Sequence, residues 1–234
     1  MGPDATGRLA ELGRGHGLGP PQLEQLSRLL DVLAADPHAP TAVRAPAQAA
    51  DRHVADALSG LRVPELAAAR LIADIGSGAG IPGLVLASAI PEAEVRLVES
   101  QRRKCAFIEA TARRMGVANA TVVCCRAEEW AQGAAVHDAV SARALAPQPV
   151  ALEYAAPLLR VGGAFIDWRG GRDPREEQAA VEAAAQLGME RLRVLATEPF
   201  TGARDHHLHV FAKVAPTPSR FPRRPGIARK RPLP

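Results

Sequence analysis

Between Leu71 and Ala87 the chain reads Leu-Ile-Ala-Asp-Ile-Gly-Ser-Gly-Ala-Gly-Ile-Pro-Gly-Leu-Val-Leu-Ala, which is one strand, one glycine turn and one helix start in close succession. Leu71 to Ile75 is short, branched and apolar, as suits a strand covered on both faces. Gly76, Gly78, Gly80 and Gly83 let the backbone turn tightly and approach a ligand where a Cβ would collide. Pro82 fits a first helical turn, because its missing N–H had no partner there. Such a unit belongs in a parallel α/β sheet, with its ligand at the carboxyl ends of the strands.

The ligand class follows from charge. Gly78-Ala-Gly80-Ile-Pro-Gly83 is a literal G-x-G-x-x-G, and Glu99 lies where a ribose-binding acid belongs, so the pattern alone reads as a dinucleotide loop. Asp74 argues against that, because a carboxylate at the strand end repels a pyrophosphate but suits an ammonium. S-Adenosylmethionine carries an amine, a sulfonium and a ribose diol and no phosphate. Asp74 is therefore expected near the amino-acid end of a methyl donor, and Glu99 on its ribose hydroxyls.

A chain of 234 residues with 47% hydrophobic content supports one sizeable core. No run approaches the length of a spanning helix and no leader pattern opens the chain, so a soluble, cytoplasmic enzyme is expected. Cys105, Cys124 and Cys125 lack metal-ligand spacing, and neither zinc nor a disulfide framework is expected. The formal net charge of +4 is unevenly spread: Pro216 to Pro234 carries six basic residues and no acid. Residues 216–234 therefore read as a basic tail, either a solvated end or a source of phosphate contacts whose loss spares donor binding.

Along the chain, a short helix from Thr6 carries Leu9 and Leu12. A second opens at Pro20-Pro21, with Leu23, Leu26, Leu30 and Leu33 at helical spacing, and stops at Asp36-Pro37. After a proline-bearing linker, Ala47 to Leu61 returns to helix and carries Arg52, His53 and Asp56, with His53 read as a packed, hydrogen-bonded residue. Residues 1–62 thus form an N-terminal helical segment packed on a core of residues 63–215. In that core, strands at Val95–Glu99, Ala120–Cys125, Asp138–Ala142 and Gly163–Trp168 alternate with helices, and Leu192–Ala196 with His207–Val214 forms a closing antiparallel pair. Ser100 is expected to cap the helix holding Arg102, Arg103 and Lys104, a basic cluster that opposes the helix dipole and so suits phosphates. His206, His207 and His209 do not complete a metal site, and no metal is expected.

The landmarks Thr41-Ala-Val-Arg44, Arg52-His53 with Asp56, Asp74 through Gly83, Glu99-Ser100, Lys104 with Phe107, Arg126-Ala-Glu-Glu129, Ser141-Ala-Arg143-Ala and Phe221-Pro-Arg-Arg-Pro-Gly226 leading to Lys230 resemble one family. It is the RsmG (GidB) family of bacterial small-subunit rRNA guanine-N7 methyltransferases, and the likeness runs from about Thr41 to the C-terminus. The resemblance implies a class I S-adenosylmethionine-dependent methyltransferase fold, a doubly wound and mostly parallel seven-stranded sheet with N-terminal helices. It also implies methylation of 16S rRNA in the small ribosomal subunit, the family target being guanine 527. By the same likeness Gly76, Ile81, Ala127, Glu128 and Arg143 match donor-contacting positions, joining Asp74, Ser77, Gly78 and Glu99. Lys104, Arg126, Arg169, Arg223, Arg224 and Lys230 are the expected RNA-phosphate contacts. The chain departs from the family before Thr41, where an Asn-Leu is missing, and at Asp167-Trp-Arg-Gly170, where Arg169 replaces a lysine.

Guanine N7 carries a lone pair and no proton, so its methylation needs no general base. No nucleophile or histidine dyad is expected here, and Arg143 is assigned an electrostatic and positioning role. Strand four ends in Ser-Ala-Arg, unlike the Asn/Asp-Pro-Pro-aromatic turn of exocyclic-amine methylation, and no Pro-Cys pair suggests a covalent adduct on carbon. No obligate protein partner or membrane is expected. A small-molecule methyltransferase, a nicotinamide oxidoreductase and an RNA-binding protein that merely retains the donor pocket remain as alternatives.

Overall fold

The computed structural model describes residues 2–234. Seven strands form one sheet in the order β3-β2-β1-β4-β5-β7-β6. They are β1 (Leu71–Ile75), β2 (Glu94–Glu99), β3 (Ala120–Cys124), β4 (His137–Arg143), β5 (Leu159–Arg169), β6 (Met189–Thr197) and β7 (His206–Lys213). The first five are parallel, while β7 runs antiparallel to both β5 and β6. Strand order reverses between β1 and β4, the crevice where open α/β sheets bind ligands.

Two apolar layers cover the sheet. One face packs α6 (Gly83–Ala89), α7 (Arg102–Met115) and the N-terminal helices α1 (Pro3–His16) and α2 (Pro20–Ala35), with Leu9, Leu12, Leu26, Leu30 and Leu33 buried. This is the layer the leucine spacing anticipates. The other face packs α8 (Gln148–Ala155) and α9 (Pro174–Gln186). Asp173 caps α9, its carboxylate accepting from the Arg175 and Glu176 N–H groups.

Residues 46–67 wind as α3 (Pro46–Ala49), a π turn (Ala50–Ala55), α4 (Asp56–Leu58), a 3₁₀ turn (Ser59–Arg62) and α5 (Pro64–Ala67). Trp168 at the end of β5 ties this run to the sheet. Its indole packs against Gly60, which has no Cβ to obstruct it, and its Nε1–H donates to the Asp56 carbonyl at 3.0 Å. The departure at Asp167-Trp-Arg therefore serves packing.

Four expectations need correction. Ser100 does not cap α7, whose N-cap is Gln101 with no side-chain hydrogen bond. The Glu99 carboxylate takes over that function, accepting from the Ser100 and Gln101 N–H groups at 2.8 and 2.9 Å. Cys105 and Cys124 form a disulfide between α7 and the end of β3, Cα atoms 5.8 Å apart, a proximity that sequence spacing does not encode. Arg169 is not free for phosphates. Asp167 at 2.6 Å, Glu176 at 3.2 Å and the Ala146 carbonyl at 2.7 Å occupy its guanidinium, because a buried carboxylate such as Asp167 requires a partner.

The fourth correction concerns residues 216–234, which fold back over α8 as a strap ending in the short helix α10 (Ile227–Lys230). Phe221, Ala228 and Leu233 are buried in the second apolar layer. Thr217 Oγ1 donates to the Ala156 carbonyl at 3.0 Å. Arg223 pairs bidentately with Glu153, which is 1% exposed, so this arginine is committed to a buried carboxylate. Arg224 and Lys230 remain exposed.

Buried titratable groups give the fold a characteristic pH response. Burial pushes His209 down to about 4, against the opposing pull of Glu177, and its Nδ1 has no partner. Unfolded histidine titrates near 6.5. His209 therefore contributes stability that is full above pH 6.5 and is lost as pH falls toward 4, by up to about 1.4 kcal/mol per unit. Burial likewise pushes Asp74 and Asp167 up to about 6, with the opposite consequence: stability rises as pH falls from 6 toward the unfolded carboxylate range. In urea melts from pH 7.5 to 4.5 the stability of wild type minus that of His209→Phe is expected to fall as pH falls, the variant lacking the histidine share of the loss. Parallel curves would mean that His209 takes up its proton at its ordinary pKa.

Candidate active site

β1 delivers the chain to Gly76, whose φ of +68° is the left-handed conformation that only glycine adopts without strain. A Cβ there would overlap Leu145 on the far wall. The Gly76 and Ser77 N–H groups donate to the Val98 carbonyl at 2.8 and 3.2 Å, fastening the turn to β2. Glu99, one residue on, places its other carboxylate oxygen on the Gly78 N–H at 3.1 Å. The turn opens into a cleft of about 380 Å³ that brings Gly76, Glu99, Lys104, Arg126, Ala127 and Glu128 together. These six are all expected site residues, the first three from the ends of β1 and β2 and the start of α7, the last three from the segment after β3 that enters the 3₁₀ turn Ala127–Glu129.

Asp74 lies one layer deeper than expected. It is fully buried, with Oδ1 accepting from Ser141 Oγ at 2.9 Å and Oδ2 from the Gly83 N–H at 3.2 Å. A Cβ on Gly83 would stand 2.8 Å from that carboxylate, so the fourth glycine of the loop serves this internal clamp. Asp74 thus holds the turn closed between β1, β4 and α6 and does not line the cleft. Ser77, whose Oγ donates to the Asp74 carbonyl at 2.7 Å, and Ile81 are buried behind the cleft with it.

Arg143 is also relocated. Its guanidinium turns away from the cleft into a neighbouring cavity, where Asp56 Oδ2 at 2.9 Å, the Arg52 carbonyl at 3.0 Å and His53 Nδ1 at 3.3 Å hold it. His53 is indeed packed and hydrogen-bonded, its Nε2 near Thr41 Oγ1 and the Val43 carbonyl. Burial and the Arg143 charge push its pKa down to about 4, so it stays neutral.

Among the residues of the cleft wall that sequence reasoning missed are Tyr154 on α8, Leu145, and Arg229 from the strap. Arg229 donates to the Leu145 carbonyl at 3.1 Å, and the Gly226 N–H donates to Glu128 at 3.4 Å. Tyr154 is the only tyrosine in the chain, a signal that gains meaning once α8 is known to face this edge. The strap therefore closes one side of the cleft.

Residues 22–207 match the family model described as GidB, rRNA small subunit methyltransferase G. The chain belongs to this family. Relatives bearing the name rRNA small subunit methyltransferase G include one from Deinococcus radiodurans, 37% identical over 91% of this chain and 86% of its own. One from Synechococcus elongatus is 38% identical over 82% of this chain and 81% of its own. A third, from Synechococcus strain JA-3-3Ab, is 38% identical over 62% of this chain, and the match spans 57% of that relative. Among solved structures, an O-methyltransferase from Bacillus cereus in complex with SAH superposes with a TM-score of 0.58 at 20% identity, covering 81% of this chain and 90% of that one. The fibrillarin pre-rRNA processing protein of Methanococcus jannaschii gives 0.54 at 18% identity, over 69% and 74%. At these identities the structures establish the fold, which is that of the class I S-adenosylmethionine-dependent methyltransferases.

In a rRNA small subunit methyltransferase G the cleft must accommodate S-adenosyl-L-methionine, and its residues fit that molecule. The bare backbone at Gly76 admits close approach. Glu99 spends three acceptor positions on backbone N–H groups and, with about four on a carboxylate, keeps capacity for a ribose hydroxyl. Ala127 and Glu128 offer a backbone N–H and an acidic acceptor to an adenine edge. Among the described residues no group of three or more His, Cys, Asp or Glu side chains is gathered for a metal ion, and no helix is long and apolar enough to cross a membrane. His206 meets Asp56 at 3.1 Å, His207 the Gly170 carbonyl at 3.0 Å, and His209 is buried.

Proposed function

We propose that this chain transfers the methyl group of S-adenosyl-L-methionine to N7 of a guanine in 16S rRNA, guanine 527 in the family, acting in the cytoplasm on the small ribosomal subunit or its RNA. One observation supports the choice of atom. The thiol and phenol that face the cleft, Cys125 and Tyr154, are both pushed up by burial, the first also by Glu129 and Glu128, and so stay protonated. A cleft without an activated thiolate or phenolate suits an acceptor that has no proton to lose. When bound, the donor supplies an electrophilic methyl: the N7 lone pair forms the new C–N bond, the C–S pair returns to sulfur, and positive charge passes from sulfonium to purine.

The protein's share is alignment and electrostatics. Glu99 and the Gly76 turn fix the donor end, and Asp74 keeps that turn rigid from behind. Lys104, Arg126 and Arg229 line the cleft and supply positive charge for phosphates beside the acceptor base, with Arg224 and Lys230 exposed on the strap. With few aromatic residues, the surface holds RNA by its backbone more than by stacking.

Tritiated donor incubated with 30S subunits that lack the modification is expected to place label in 16S rRNA as an alkali-labile purine at one guanine. Label elsewhere on the base, or none alongside tight NADH binding, would overturn the proposal.

A further inference from the structure

A second cavity, of about 490 Å³, adjoins the donor cleft and is claimed by none of the roles above. Ala144 lines both spaces, and among the described residues it is one of three non-glycines with positive φ, at 52°. Backbone strain of this kind, at the residue the two cavities share, accompanies functional geometry. Beyond Ala144 the cavity has two unlike surfaces. Val43 and Phe200 present apolar and aromatic area. Opposite them is a fixed polar network in which buried Asp56 holds Arg143 at 2.9 Å through one oxygen and His206 at 3.1 Å through the other. Phe200 stands edge-on to His206, ring centroids 5.7 Å apart. Phe200 itself comes from the β6–β7 loop, where Gly202 and Asp205 also have positive φ.

We propose that this cavity receives the target guanine, flipped out of the RNA strand, with its face on Phe200 and its polar edge on the Arg143–Asp56–His206 network. The inference rests on the N7 reading above. N7 lies in the deep major groove of an RNA helix, so an enzyme reaches it on a loop nucleotide or on a base turned out of its stack. A flipped base needs a stacking surface and edge-recognition groups beside the donor, and this cavity supplies both where it shares Ala144 with the donor cleft. Asp56 has a further effect: its charge offsets Arg143, so the wall does not repel a purine that becomes cationic as the methyl arrives.

The test compares full-length wild type, Phe200→Ala and Phe200→Tyr on unmodified 30S subunits, with donor affinity measured separately by calorimetry. Phe200→Ala is expected to lower kcat/KM roughly 10- to 100-fold, the scale of one lost base–aromatic contact, while donor Kd stays within twofold. Phe200→Tyr is expected to restore most of the loss, which a merely disturbed loop would not allow. Fluorescence of 2-aminopurine at the target position, quenched by wild type and bright with Phe200→Ala, reports stacking independently of turnover. Unchanged kcat/KM and quenching in Phe200→Ala would overturn the pocket while leaving N7 transfer intact. Absence of 7-methylguanine with wild type would remove the N7 reading and the pocket with it.

Discussion

Replacing Arg223 by alanine is expected to destabilise the protein by about 3 kcal/mol, because it leaves Glu153 as a buried carboxylate without its ion-pair partner. In a domain of this size that corresponds to a fall in Tm of roughly 6–12 °C. The double variant Arg223→Ala/Glu153→Leu is expected to recover part of the loss, since removing both charges also removes the stranded one. Donor affinity should fall with the single variant as well. The strap that Arg223 anchors carries Gly226, which donates to Glu128, and Arg229, which lines the donor cleft. An unchanged Tm with weakened RNA binding would restore the earlier expectation of a solvated tail held in reserve for phosphates.

Glu99→Gln is expected to weaken donor binding by about 1.5–3 kcal/mol, roughly 10- to 150-fold, the range for a hydrogen bond to a charged group. The carboxylate accepts on both oxygens: Gly78 N–H on one, Ser100 and Gln101 N–H on the other. An amide has one acceptor oxygen, so in either orientation its NH₂ opposes a backbone N–H. The Gly78 turn or the start of α7 must then give way, and the acceptor for the ribose diol is lost with it. Calorimetric titration with S-adenosyl-L-methionine checks the first part, and a parallel titration with NADH checks selectivity. An unchanged Kd would show that the diol is held elsewhere.

Part of the site was legible before folding because its determinants are local. The strand–turn–helix from Leu71 to Ala87 needs only a branched run, four glycines and a proline, and Glu99 follows from the period of a βαβ unit. The same locality explains the leucine stripe of α2 and the closing antiparallel pair. What failed was the assignment of charged side chains to solvent or ligand. Asp74, Arg169 and Arg223 all have the right type and neighbourhood for a binding role, and all three are spent on internal partners.

That division has one physical cause. Backbone conformation and periodicity are written within a few residues, so the sequence by itself determined the sheet, the glycine turn, the acid beside it and the family. A charge is committed by whatever lies within a few ångströms, often far along the chain, and burial makes that commitment obligatory. The tertiary structure alone therefore decided that Asp56 meets Arg143 and His206, that Glu153 draws the C-terminal strap over the cleft, and that Phe200 comes to rest across Ala144 from the donor site.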